Sequence, residues 1–131
     1  GKKVTFQRAG LTLVGYLYKP AGNGPFPGII WNHGSEQNPS PPVQEFPAIA
    51  QIFVPAGYVV FAPEREGQGE SQGQYISDQV QAEAQKNGKQ AAQQLLVQLM
   101  EGPQLDDQLA GEAYLSGLPY VDKDRLAVVG C

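Results

Sequence analysis

"YVVFAPEREGQGES", residues 58–71, is an unbroken apolar run that ends in a polar turn studded with glycine. A strand with one wet face would alternate apolar and polar residues, and Tyr58 to Ala62 does not alternate. A run of this kind is buried on both faces, as in a parallel sheet covered by helices. The pattern recurs in "GIIWNHGSE" (28–36) and in "LAVVGC" (126–131). Three such runs predict three neighbouring strands, the last of them central, with further strands beyond it. Asp122 to Arg125, just before the last run, read as a polar turn.

The segments between the runs have helical periodicity. In "VQEFPAIAQIFVPAG" (43–57), Ala48, Ile49, Ile52 and Phe53 form an apolar stripe, and Pro55-Ala56-Gly57 ends it. A long helix is predicted over about 77–101, with Val80, Ala84, Ala91, Leu95 and Leu99 on one face. Gly88 falls on that face, where a small residue allows close packing. Gly102-Pro103 stops this helix. A shorter one over about 104–116 uses Leu105, Leu109 and Ala113 and ends at Gly117. At the start of the chain, Val4 to Gln7 and Leu11 to Tyr18 read as an antiparallel pair, the second with Leu11, Leu13 and Leu17 on its buried side. The order β-β-β-α-β-α-α-β predicts an α/β sandwich with right-handed crossovers.

Composition narrows the function classes. Nine basic and thirteen acidic side chains give a net charge of -4. No basic stripe is present, which argues against nucleic acid as a partner. No apolar run approaches the ~20 residues needed to span a bilayer. The single cysteine cannot form an internal disulfide, and no Cys/His spacing suggests a metal site.

In open α/β sheets ligands bind beyond the carboxyl ends of the strands. Here those ends read "NHGSE" (32–36), "PEREGQGES" (63–71) and "GC" (130–131). The His33-Gly34 pair can turn the chain so that a following backbone N–H stabilises charge on a carbonyl oxygen. Ser35 is the first choice for that donor and Glu36 the second; a plain strand-to-helix turn is the alternative. "DRLAVVGC" fits the strand entering a nucleophile elbow, G-x-S-x-G, with Gly130 as its first glycine and the nucleophile as the residue after Cys131. An ordinary turn, or the first glycine of a dinucleotide loop, also fits Gly130 alone. Cys131 reads as a buried inert thiol. His33 reads as a structural histidine rather than a base. Ser35 and Ser71 lack the elbow frame. Arg65 is a candidate substrate contact or a partner for Glu36, against a solvated surface pair with its acidic neighbours.

The strand pair, "GIIWNHGSE", "GYVVFAPEREGQGES" and "YLSGLPYVDKDRLAVVGC", in that order, resemble the N-terminal part of an α/β-hydrolase. The resemblance is to the dienelactone hydrolase-like group, which borders the prolyl oligopeptidase-like hydrolases, and it covers nearly the whole chain. It implies a mostly parallel sheet with a leading antiparallel pair and flanking helices, in which residues 1–131 are the first part of a single domain. It also implies a serine hydrolase that cleaves carboxylic esters through an acyl-enzyme, without metal or organic cofactor. The partners would be a small-molecule ester and the remaining C-terminal half of the domain, which would hold the serine, acid and histidine. A prolyl oligopeptidase-like peptidase, or a non-catalytic α/β binding module, are the alternatives. The pattern departs in two places: the family's second loop often reads R-G-x-G-x-S, and Glu66 stands where arginine is usual; and the family's nucleophile, acid and histidine, which all follow Gly130-Cys131 in chain order, are not among these residues.

Overall fold

The computed structural model describes residues 1–34 and 45–130. The chain forms β1 (Lys2–Arg8), β2 (Leu11–Tyr18), β3 (Phe26–Asn32), α1 (Glu45–Phe53), β4 (Val59–Pro63), α2 (Ile76–Asn87), α3 (Lys89–Glu101), α4 (Pro103–Ser116) and β5 (Val121–Gly130). The strands make one mixed sheet in the order β1-β2-β4-β3-β5. β1 pairs antiparallel with β2, and β2 with β4. β3 runs parallel to both β4 and β5.

The first hairpin closes on Ala9 and Gly10, both with positive φ (48° and 83°). Two-residue hairpin turns of this hand match the twist of the strands but strain any residue with a Cβ. β4 is buried at every position, as its unbroken apolar run predicts, because β2 and β3 flank it and helices cover it. On one face, Phe61 packs against Phe6 and Tyr114, with ring centroids 5.7 and 5.1 Å away. Gly15, on the neighbouring strand, makes room for that ring: a Cβ there would lie 2.5 Å from Phe61 Cε1. Leu13, Ile30, Val59 and Leu115 complete this core beneath α4. On the other face, Phe46 of α1 packs with Trp31 and Ala62.

Several expectations change. The stretch 77–101 is two helices, because Gly88 adopts φ 94° and breaks the run. Among the described residues no atom lies within 4 Å of a Cβ built at Gly88, so the residue supplies a turn and not a close contact. α3 folds back onto α2 instead of continuing it.

The stripes on two helices also shift. In α1 the buried residues are Phe46 and Ala50, while Ile52 is 64% exposed. In α4, Leu105 and Leu109 face outward, and the inner face is Gln104, Asp107, Gly111 and Leu115. Polar groups occupy that inner face because they clamp the loops beside it. Gly111 lets the helix approach Pro63, whose Cγ would be 3.2 Å from an added Cβ.

β5 begins at Val121, so the polar residues 122–125 lie within it. They are nevertheless looped out: Phe26 pairs with Val121 and Gly28 with Leu126, a register shift that leaves four residues opposite Pro27. Asp122 tightens this bulge by accepting the Asp124 N–H (3.0 Å) and pairing with Arg125 (2.7 Å). Among the described strands, β5 lies at the edge of the sheet. Its Val128 is 59% exposed among the described residues.

Candidate active site

Because β3, β4 and β5 are parallel, their carboxyl ends share one side of the sheet, with β3 in the middle. Asn32 pairs with Gly130, and an added Cβ at Gly130 would sit 2.7 Å from the Asn32 carbonyl oxygen. The tips of β3 and β5 therefore touch backbone to backbone, which only glycine permits at position 130. A cavity of about 440 Å³ opens over these tips, lined by His33, Gly34 and Arg65 and, from the helices, by Met100, Gln104 and Gln108.

His33 is buried, and both ring nitrogens are occupied. Nδ1 lies 2.7 Å from the Gly34 carbonyl oxygen, and Nε2 accepts the backbone N–H of Arg65 (3.2 Å). A nitrogen that accepts an N–H carries no proton, so the proton is on Nδ1 and is donated to Gly34. Burial, and secondarily the charge of Arg65, push the His33 pKa down to about 4. The ring is thus a neutral strut at neutral pH. It has no free nitrogen to serve as a base, in keeping with its reading as a structural histidine.

Arg65 is not part of a solvated surface pair. Its Nη2 donates to the His33 carbonyl (2.9 Å) and its Nε to Gln104 Oε1 (3.0 Å), and burial lowers its pKa. One guanidinium joins the end of β3, the loop after β4 and the first turn of α4, using the fork geometry that lysine lacks.

The two glutamates flanking Arg65 are also inside. Glu64 is 1% exposed. Its Oε2 accepts the Glu70 N–H (2.7 Å), and burial raises its pKa. The loop wraps it so closely that a Cβ at Gly69 would overlap Oε2. Glu66 receives Arg8 Nη2 (2.7 Å) from the end of β1. Arg8 Nε also pairs with Asp107 Oδ1 (2.5 Å), and Asp107 Oδ2 accepts the Glu66 N–H (2.8 Å). These bonds to Asp107, and to Glu66, raise the Arg8 pKa. The acidic residue at 66 is therefore balanced by an arginine from another strand, and the loop keeps a cation beside Asp107.

Sequence reasoning missed Arg8, Gln104 and Asp107. The only available signal was a polar cluster, "PQLDD" (103–107), at the start of a helix, where acidic residues are common for other reasons. Ser35, Glu36 and Cys131 lie outside the described residues. Among the described residues, no group of three or more His, Cys, Asp or Glu side chains is placed to hold a metal ion, and no helix is long and apolar enough to cross a membrane.

No family model and no curated protein matches the sequence. Solved structures do match. The chain is similar to Est1E from Butyrivibrio proteoclasticus, solved with ferulic acid bound (TM-score 0.67, 18% identity, covering 97% of this chain and 41% of that one). It is also similar to the α/β hydrolase GrgF from Penicillium sp. sh18 (TM-score 0.65, 20% identity, 98% and 36%). An acylaminoacyl peptidase from Pyrococcus horikoshii matches too (TM-score 0.64, 19% identity, 98% and 18%). The chain spans less than half the length of each of these. Its mixed sheet, its flanking helices and these matches give it the fold of the N-terminal part of an α/β-hydrolase domain.

Proposed function

We propose that residues 1–131 are the N-terminal part of a single serine-hydrolase domain that cleaves carboxylic esters through an acyl-enzyme. The observation that carries this reading is the convergence of the tips of β3, β4 and β5 on one cavity, with the Gly34 carbonyl held by His33 and His33 held by Arg65. The N–H of Ser35, the residue that follows Gly34, is the proposed oxyanion donor; the N–H of Glu36 is the second choice. Such a donor is worth about 3 kcal/mol in acyl transfer.

In this reading the nucleophilic serine follows Cys131, at the turn that Gly130 begins. A histidine and an acid later in the protein take its proton and orient the base. The serine attacks the ester carbonyl, the oxyanion rests on the amide after Gly34, the alcohol leaves, and water releases the acid. Arg65 acts as a positioning residue for the oxyanion turn, and a direct contact with substrate remains part of the proposal for it. The reaction needs neither metal nor organic cofactor.

A fluorophosphonate probe on the full-length protein tests the proposal. Covalent labelling of a serine supports it; a folded protein that stays unlabelled refutes it. The similarity to an acylaminoacyl peptidase favours a peptidase as the second reading. A labelled protein that cleaves acyl-peptides and spares simple esters would select that reading.

A further inference from the structure

We propose that the groove between α2 and α3 binds the acyl tail of the substrate, so that the esters taken are those of uncharged, medium-length, linear acids. The inference rests on the ester-hydrolase reading and adds the substrate class to it. The break at Gly88 folds α3 back on α2 and leaves a cavity of about 340 Å³ between them. Ile76, Val80 and Ala84 line it from α2, and Leu96 and Met100 from α3.

Three observations point to a substrate tail. Met100 lines both this groove and the rim cavity over His33 and Arg65, so the two are neighbours across one flexible side chain. None of the described side chains lining the groove carries a charge, so none of them would pair with a charged tail. Among the described residues, Leu96 and Met100 are 41% and 55% exposed, so they offer an apolar surface to such a tail. The volume is also within the ~300–1,000 Å³ range of small-molecule sites.

The test compares kcat/KM for p-nitrophenyl acetate and octanoate with the full-length protein. The wild type should favour octanoate at least tenfold, since each buried methylene is worth about a fourfold gain. Leu96→Glu should lower the octanoate-to-acetate ratio at least tenfold, and so should Ala84→Trp, which fills the groove. Val97→Glu places the same charge one residue away, outside the groove, and should leave the ratio as in the wild type. Leu96, Ala84 and Val97 are all exposed among the described residues, so the variants should retain the fold, which circular dichroism checks. A wild type indifferent to chain length overturns the inference, as do Leu96→Glu and Val97→Glu with equal ratios. If neither ester is turned over, the hydrolase reading fails and calorimetric binding of octanoate decides the groove separately. Binding that Leu96→Glu weakens at least tenfold supports the site; no binding by the wild type overturns it.

Discussion

Lowering the pH should weaken the fold through His33, and the size of the effect follows from its burial. The side chain is 6% exposed, and its pKa falls from an ordinary 6.5 to about 4. Above pH 6.5 the ring is neutral in both native and unfolded chains and contributes no pH dependence. Between pH 6.5 and about 4 the unfolded chain takes up a proton that the native chain refuses, so stability falls as pH falls. Below about pH 4 both states are protonated and the loss levels off. At roughly 1.4 kcal/mol per pH unit, the full loss is about 3 kcal/mol.

Glu64 works in the opposite sense, because burial raises its pKa and its protonation favours the native state as pH falls. A comparison of wild type with His33→Asn removes that contribution, since both proteins carry Glu64. The variant loses the contact with Phe46 and begins less stable at pH 7.5. Its deficit should shrink by about 3 kcal/mol by pH 4. Urea unfolding of the full-length protein at pH 7.5, 6, 5 and 4 measures this difference directly. A deficit equal at pH 7.5 and pH 4 would refute the argument that a buried neutral imidazole braces the Gly34 turn.

Asp107→Ala removes the acceptor of both Arg8 Nε and the Glu66 N–H, and two donors left unpaired in a largely buried cluster should cost about 3 kcal/mol in urea unfolding. An effect below about 0.5 kcal/mol, the scale of an ordinary surface substitution, would mean that the clamp is a solvated pair. Ala9→Gly relieves a positive φ at the first hairpin and should stabilise the protein by about 1 kcal/mol, read as a higher urea midpoint at unchanged slope. Gly15→Ala presses a methyl into the Phe61 ring, which Phe6 and Tyr114 hold in place, and should lower stability by about 1–3 kcal/mol. A thermal midpoint equal to that of the wild type would show that the ring is free to move.

Local chemistry is enough to specify the elements of this chain. Unbroken apolar runs at 28–32 and 58–62 suit the middle of a covered sheet, whereas Leu11–Tyr18, read as a strand with one buried face, is covered on both: Val14 is 4% exposed and Tyr16 packs on Phe46 of α1. Glycine at the ends of these runs marks where the backbone turns, so the side of the sheet where the tips of β3, β4 and β5 gather was legible as well. Which way a helix faces was not. α4 turns Leu105 and Leu109 outward and Gln104 and Asp107 inward, because Arg8 and Arg65 arrive there from β1 and from the loop after β4. Those partners lie 99 and 39 residues away in the chain, and no local periodicity carries that information. Gly88 makes the same point: a glycine in a helical pattern suits a tight contact or a chain reversal equally well, and tertiary packing of α3 on α2 selects the reversal. Sequence alone determined the strands, their order in the chain and the glycine-bearing tips; the tertiary structure decided the pairing of charges across them, because electrostatic complementarity depends on distance in space and not on distance along the chain.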